Sequence, residues 1–427
     1  MLLRFGYCWR METAAVQRRT LRLLFLNQII SGIGVSVGAS VGALLAAEIA
    51  GVGLSGLTQS ASVVGAALFA VPATAIVQRY GRRPSLASGY FIAAIGAFVV
   101  VAAALRSSIP LLFLGIFLFG AGSGANLQAR YAAVDLSPPA LRGRHLSLIV
   151  WATTVGAVIG PGFAPVAGAA LAKYGIPTLA GPFFLSALLF GLGTLLLLFF
   201  LRPDPAVVAR AELGKSIGVT DRNTVGMWTA LAVVWSEPRA RLGVSAMAVG
   251  HIVMVGVMAM TPVHIRSAGH SAEHTLRIVG LVLSFHVAGM FAFSPLVGWL
   301  TDRLGRRPVV VGGIALLLVA CAVAGTAGHD SVRLAAGLMT LGLGWSGTMV
   351  AGSTMLSDAI PVELRPAAQG LSDLVMGLAG ASAGALSGVV VETWGYPRLN
   401  LFAALATAPL ILFLSFSTRR TTSPAPS

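Results

Sequence analysis

The sequence predicts an all-α membrane protein with twelve transmembrane helices in two pseudo-symmetric six-helix bundles. Three observations predict this fold class. Of the 427 residues, 56% are hydrophobic and 10% are charged, whereas soluble domains contain about 25% charged residues. Apolar runs long enough to span a bilayer recur twelve times along the chain. The two halves also carry similar short loop sequences at a nearly constant spacing.

The apolar runs give the order of the elements. We predict spans at 22–48, 57–77, 85–105, 110–135, 145–171, 180–201, 242–263, 276–299, 309–327, 333–357, 368–390 and 399–416. They form an N-terminal bundle at 22–201 and a C-terminal bundle at 242–416, with a cytoplasmic tail at 1–21, a cytoplasmic linker at 202–241 and a second cytoplasmic tail at 417–427. The first ten residues are polar and irregular, and Met11 is an alternative start.

Loop charge predicts the orientation of the spans. With the N-terminus inside, 22 of the 29 Lys and Arg residues fall in inner segments and six in outer loops. Because basic residues accumulate in cytoplasmic loops, we expect both termini in the cytoplasm of a multi-pass protein in the bacterial inner (plasma) membrane. The net charge of +15 then reflects topology, and no nucleic-acid partner is needed to explain it. We expect a monomer in the lipid bilayer, with no permanently bound cofactor.

Two loop sequences are repeated in the two halves. QRYGRRP at 78–84 follows span 2, and GWLTDRLGRRP at 298–308 follows span 8, about 224 residues later. DLSPPALRGR at 135–144 and DAIPVELRPA at 358–367 follow spans 4 and 10, with an offset of 223. A constant offset of this kind indicates a duplicated six-helix unit.

The sequence GWLTDRLGRR fits every fixed position of G-x-x-x-D-R-x-G-R-R and resembles the loop motif of the major facilitator superfamily. The first copy has Thr74 and Gln78 where glycine and aspartate usually stand. The resemblance covers residues 20–416. It implies a transporter that works by alternating access, in which two bundles rock around a central site and inner charge pairs hold one state.

Opposite charges at the inner ends of the helices are the candidates for that gating role. At the low-dielectric boundary of the membrane, Arg82 with Asp135 and Arg306 with Asp358 would hold the bundles in one state; the alternative is simple anchoring at the headgroups. Because Gln78 leaves the first set one charge short, we expect the second to be stronger. The full set is Arg79, Arg82, Asp135, Asp302, Arg303, Arg306 and Asp358.

Polar side chains also lie deep in several spans, where an unpaired polar group is costly. The Asn and Gln side chains are expected to bond neighbouring helices more often than a substrate, and Arg130 to pair locally with Asp135 or a carbonyl. Asp373 is a candidate proton carrier, with a structural hydrogen bond equally open. The set is Asn27, Gln28, Gln59, Asn126, Gln128, Arg130, His251, His286 and Asp373.

Methionine and histidine recur at helical spacing in spans 7 and 8. Met254 and Met258 are four residues apart and share one helix face, and His286 and Met290 repeat the spacing in span 8. Thioether and imidazole are the ligands that Cu(I) prefers. Methionine also fills irregular gaps in helix packing, so both a metal site and a packing role remain open.

This pairing of M-x-x-x-M in helix 7 with H-x-x-x-M in helix 8 resembles the signature of CcoA-like copper importers. The resemblance implies that Met254, Met258, His286 and Met290 ligate copper in transit. His251 lies near the same stripe of span 7 and is a further candidate ligand or proton acceptor. The thiols of that group have no counterpart here, because Cys8 lies in the tail and Cys321 in span 9. The same group includes riboflavin carriers. The leading expectation is import of copper as the substrate.

The alternative function is proton-coupled efflux of drugs or small organic molecules. GAVIGPGFAP at 156–165 in span 5 resembles the G-x-x-x-G-P-x-x-G-G pattern of such exporters, with Ala164 and Pro165 in place of the paired glycines. The pattern predicts a kink in span 5 and a close helix contact. An enzyme is not expected, since no cluster of nucleophile, base or metal-activated water stands outside the spans. Nothing resembles a nucleotide-binding loop, so a gradient is the expected driving force.

Overall fold

The computed structural model describes the backbone of residues 2–138, 141–213, 227–361 and 364–419, and every regular element in these ranges is helical. The elements are α1 Leu2–Ala50, α2 Val52–Ser55, α3 Leu57–Tyr80, α4 Arg82–Arg106, α5 Ile109–Ala132, α6 Arg142–Ile159, α7 Ala164–Ala172, α8 Gly181–Phe200, α9 Pro205–Leu213, α10 Met227–Ser236, α11 Pro238–Arg266, α12 Ala272–Phe291, α13 Ser294–Leu304, α14 Arg306–Gly325, α15 Ser331–Ala359, α16 Arg365–Leu405 and α17 Ala408–Arg419.

The helices confirm the predicted fold class. Within the described ranges, eleven helical stretches are long and apolar enough to cross a membrane. Ten of them correspond to predicted spans 1 to 10. The eleventh, Ala368–Leu414, contains both remaining spans, because the helix breaks at Gly395, whose φ of 79° and ψ of 168° are not helical. Glycine adopts a positive φ without a steric penalty, and Pro397 follows it in the turn.

The N-terminal segment differs from the predicted irregular tail. Helix α1 begins at Leu2 and continues to Ala50. Polarity does not break a helix, and residues 7–31 contain neither glycine nor proline. Gln17 ties this part of α1 to the end of α5, donating to Ala133 O at 2.7 Å and to Ser137 Oγ at 2.8 Å. The side chains of residues 2–12, Cys8 among them, lie outside the described part of the structure.

The predicted linker at 202–241 also contains helices, α9 and α10. Residues 214–226 between them, and residues 420–427 of the second predicted tail, lie outside the described ranges. Residue contacts divide the chain into two compact units. Their boundaries differ from the predicted bundles in two short segments: residues 51–60 pack with the second unit and residues 271–280 with the first.

In the first unit, α1 packs against α6 and α8, and α4 packs against α5 and α8. Phe119 makes edge-on contacts with Phe183 and Phe190, at centroid distances of 5.6 and 5.4 Å. The expected interruption of span 5 is present, because a 3₁₀ turn at Gly160–Phe163 separates α6 from α7. At Gly156, α6 meets the backbone of α1 at Ile29 and Ile33, which confirms the close helix contact.

In the second unit, α15 packs against α11, α12 and α14, while α16 packs chiefly against α11. Helix α11 approaches it at Gly243, next to Gly352, and again at Gly250, next to Thr348. Helix α12 approaches it at Gly289, next to Met339 and Leu343. At about 100° per residue these contacts place α11 and α12 on opposite faces of α15, about 180° apart. Helices α14 and α16 complete the unit.

Candidate functional site

Trp345 of α15 lies between the two faces of α15 that contact α11 and α12. Its indole N–H donates to Nδ1 of His251 on α11 at 3.1 Å. Its ring meets Phe291 of α12 edge-on, at a centroid distance of 5.7 Å and an interplanar angle of 72°. Trp345 is 8% exposed, while His251 and Phe291 are partly exposed. The three side chains form one aromatic cluster, in which Trp345 is the buried member.

The hydrogen bond from Trp345 fixes the chemical state of His251. An indole N–H can only donate, so Nδ1 of His251 must accept. The proton of the neutral imidazole is then on Nε2, which lies next to Gly380 of α16. His251 therefore offers a donor and not a lone pair. The expectation that His251 acts as a metal ligand or a proton acceptor does not fit this arrangement, because its only lone pair is used by Trp345.

The predicted metal residues pack on α15 from two sides. Met254 lies eleven residues after Gly243 and four after Gly250, so it shares the face of α11 that packs on α15, and it is 4% exposed. Met258, one turn further, is partly exposed. On α12, the backbones of His286 and Met290 lie against Gly342 of α15. The structure thus gives Met254, His286 and Met290 a common neighbour, α15.

His286 is completely buried, and its two ring nitrogens differ. Nδ1 donates to the carbonyl of Leu338 at 2.8 Å, since a carbonyl can only accept. Nε2 then carries a lone pair, and among the described residues it has no hydrogen-bond partner. Met290, one turn further along α12, is 9% exposed. An imidazole whose other nitrogen donates to a carbonyl is the usual arrangement of a metal-ligating histidine.

Metal coordination through other side chains has no support in the described residues, where no group of three or more His, Cys, Asp or Glu side chains is arranged to hold a metal ion. Cys321 is a buried free cysteine in α14. A metal site in this unit would therefore depend on thioether sulfur together with His286.

The deep polar residues of the first unit bond one another. Tyr90 Oη donates to Asn126 Oδ1 at 2.8 Å, and Ser31 Oγ donates to the same oxygen at 2.7 Å. Gln28 Nε2 donates to Thr153 Oγ1 at 2.8 Å and to the backbone O of Asn126 at 3.2 Å. These contacts join α1, α4, α5 and α6, as expected for helix-bonding amides. Asn27, also fully buried, has neither amide atom paired among the described residues.

Four other polar candidates lie elsewhere. The Arg130 guanidinium lies over the ring of Tyr131 at 5.2 Å, and Asp135 is bonded to Arg82 instead. Asp373 is exposed on α16. Gln59 lies against Gly384 of α16 within the second unit. Gln128 is partly exposed on α5.

Both predicted ion pairs form, but they differ in strength. Arg82 binds Asp135 through two hydrogen bonds, of 2.8 and 3.1 Å, and the side chains are 15% and 16% exposed. Arg306 binds Asp358 through one bond of 2.9 Å, and the side chains are 35% and 56% exposed. Bidentate and less hydrated pairs are the stronger ones, so the geometry reverses the expected order. Arg79 and Asp302 are exposed, and Arg303 lies over the ring of Trp299.

A residue that the sequence analysis missed, Asp204, supports the first loop. Its carboxylate accepts from the backbone N–H groups of Arg82 at 3.1 Å and Arg83 at 2.7 Å, at the start of α4. It also accepts from Ala206 and Val207 at the start of α9. Arg210 of α9 donates to Val77 O, at the end of α3. The Asp204–Pro205 pair, typical of a helix start, is the sequence pattern that indicates this cap.

Comparison with known proteins gives the family. The chain matches the Major Facilitator Superfamily at residues 24–276 and 269–427. It belongs to the Major Facilitator Superfamily. It is 36% identical over 408 residues to YdeG of Bacillus subtilis, an uncharacterised MFS-type transporter, covering 95% of this chain and 93% of the relative. It is 27% identical over 419 residues to the riboflavin transporter RfnT of Brucella anthropi, covering 95% and 98%.

Solved structures agree on the fold of this transporter. The nucleoside transporter NupG has a TM-score of 0.71 at 14% identity, covering 96% of this chain and all of that chain. A bacterial homologue of the lysosomal transporter Spinster has a TM-score of 0.70 at 15% identity, covering 96% and 99%. These similarities show the fold alone. Neither sequence relative above is named as a copper carrier.

Proposed function

We propose that this transporter carries small organic molecules that contain a planar aromatic ring, and that the ring binds at the cluster of Trp345, Phe291 and His251. The observation that supports this is the edge-on contact of Trp345 with Phe291 beside a polar imidazole. Rings prefer offset or edge-on neighbours, so partly exposed aromatic side chains offer a ready surface to another ring. Few polar groups in an apolar aromatic setting are typical of sites for small organic ligands.

The relatives are consistent with this substrate class. RfnT carries riboflavin, according to its name, and the multidrug resistance protein Stp of Mycobacterium tuberculosis is 24% identical over 377 residues, covering 78% of this chain. We propose efflux as the direction, since the broken span 5 fits the exporter-like pattern at 156–165. Asp373 is the proposed proton carrier. We further propose a monomeric, non-enzymatic protein of the bacterial inner membrane with both termini in the cytoplasm.

The test compares the cellular accumulation of two planar fluorescent molecules, riboflavin and ethidium. Cells expressing the transporter are expected to accumulate less of at least one of them than empty-vector cells do. Trp345→Ala should remove this difference at equal expression. Trp235→Ala is the matched control, because Trp235 is 70% exposed on α10 and lies outside the cluster. Higher accumulation that depends on Trp345 would reverse the direction, and equal accumulation with both molecules would reject the proposal.

Copper import is the second candidate, and one observation favours it: the buried lone pair of His286 Nε2, one turn from Met290. Copper would be the substrate, held in passage by His286, Met290, Met254 and Met258. Imidazole and thioether groups suit Cu(I) and add no charge to the site. Radioactive copper uptake should fall in both Met254→Ala and His286→Ala at equal expression. Unchanged uptake in both variants would reject copper as the substrate and leave the organic molecule as the proposed one.

A further inference from the structure

Resting on the proposed ring site, we infer that His251 selects substrates whose ring carries a hydrogen-bond acceptor, such as a ring carbonyl, at its edge. The inference begins with the bond from Trp345, which occupies Nδ1 of His251 and leaves the proton on Nε2. Among the described residues, no group accepts from this Nε2–H. The site therefore holds a fixed N–H donor beside the buried ring of Trp345. This donor is available to a ligand.

Gly380 of α16 leaves space for the Nε2 edge of the His251 imidazole. A Cβ atom at this position would lie 2.5 Å from Cδ2 and 2.7 Å from Nε2 of His251, closer than such atoms approach. Any larger residue would push the imidazole away from Trp345 and change the direction of its free N–H. Gly380 is thus a positioning residue for the donor. Val255, one turn beyond His251, is buried and packs against the same glycine.

A fixed donor discriminates more strongly than a flexible one. A ligand without an acceptor leaves the Nε2–H unpaired in a partly buried site, and this loss is larger than the gain from an ordinary hydrogen bond in water. Sites that are built to bond a polar group reject the analogue that lacks it. For this single bond we expect a preference of about tenfold for the acceptor-bearing ring. A lone aromatic contact would show no such preference.

The test uses two water-soluble probes of the same tricyclic shape and charge, (anthraquinon-2-ylmethyl)trimethylammonium and (anthracen-2-ylmethyl)trimethylammonium, whose solubilising group carries no hydrogen-bond acceptor. Only the first carries ring carbonyls. Their dissociation constants are measured by equilibrium dialysis against the purified full-length transporter. We expect the quinone to bind about tenfold more tightly. His251→Phe, which keeps a ring and loses the N–H, should remove the preference. His251→Gln, whose amide can accept from Trp345 and still donate, should retain it.

The outcomes separate this inference from the proposal on which it rests. If neither probe binds, the ring site itself is rejected. If both bind equally to the wild type, or His251→Phe leaves the preference unchanged, the ring site stands and the inference fails. If His251→Phe does not fold, the Trp345→Phe variant tests the inference instead. It keeps an aromatic ring at this position and removes the N–H that fixes the imidazole. The preference should then shrink, and an unchanged preference would overturn the inference.

Discussion

The two copies of the repeated loop have similar sequences but different support. In the first copy, Gly81 precedes α4, and Asp204 caps the N–H groups of Arg82 and Arg83. In the second copy, Gly305 precedes α14, and among the described residues no side chain accepts from the N–H groups of Arg306 and Arg307. The first copy lacks the motif aspartate in its own sequence, and the carboxylate of Asp204, the residue before α9, binds there instead. Two loops of similar sequence therefore need not have the same charged contacts.

The largest expected effect comes from Gly81, one of the two glycines that precede these helices. Gly81 and Gly305 have φ values of 101° and 91°, so alanine is strained at both, by about 1–2 kcal/mol. At Gly81 the added Cβ would also collide with the carboxylate of Asp204. Gly81→Ala should therefore lower the apparent melting temperature of the purified protein more than Gly305→Ala. Equal shifts would show that Asp204 contributes little to the first loop.

The ion pairs provide the next comparison. Removing one partner of the half-buried pair, as in Asp135→Asn, should destabilise the fold by about 2 kcal/mol, because the bidentate Arg82 is left poorly solvated. Asp358→Asn should cost about 1 kcal/mol or less, since that pair is largely hydrated. Thermal unfolding at low and high salt measures both. A larger loss for Asp358→Asn would restore the order that the sequence predicts.

Asp204 itself should have a moderate effect. Asp204→Ala removes the caps of α4 and α9 and should destabilise the protein by about 1 kcal/mol or somewhat more. Asp204→Asn should retain most of this stability, because an amide oxygen also accepts from helix N–H groups. Hydrogen exchange at the amides of Arg82 and Arg83 reports the loss directly. Protection that stays unchanged in the alanine variant would contradict the capping role.

The smallest effect on stability, with a separate effect on transport, is expected for Asp302. This side chain is exposed near the end of α13, so Asp302→Asn should leave the free energy of unfolding within about 0.5 kcal/mol of wild type. If the loop charges hold one transport state, the same variant should impair transport while the protein still inserts. Full transport activity would remove Asp302 from the gating set and leave it with an anchoring role.

Much of the fold is predictable from local sequence. Span lengths follow from apolar runs, and the break in span 5 follows from Gly160 and Pro161, because both residues act through their own backbone. The pairing of Arg82 with Asp135 is predictable from the repeat. Which of the two ion pairs is stronger is not predictable from the sequence. The burial of each pair and its number of hydrogen bonds depend on neighbouring helices.

The candidate site is less predictable. The sequence identifies His251, His286 and the methionines as unusual groups in apolar spans, but it does not indicate which ring nitrogen carries the proton. That depends on Trp345, 94 residues away from His251, and on the carbonyl of Leu338, 52 residues away from His286. Two histidines of similar sequence context thereby acquire opposite chemistry, one offering a donor and the other a lone pair.

The sequence by itself determined that this chain is a helical membrane transporter of duplicated design, because hydrophobic length and repeated loops are local properties of the chain. Only the tertiary structure decided that Asp204 caps the first loop, that Trp345 joins α11 to α12, and that His251 presents a donor. The physical reason is the same in each case. Hydrogen bonds and ring contacts act over a few ångströms, and which distant residues come within that range depends on helix packing.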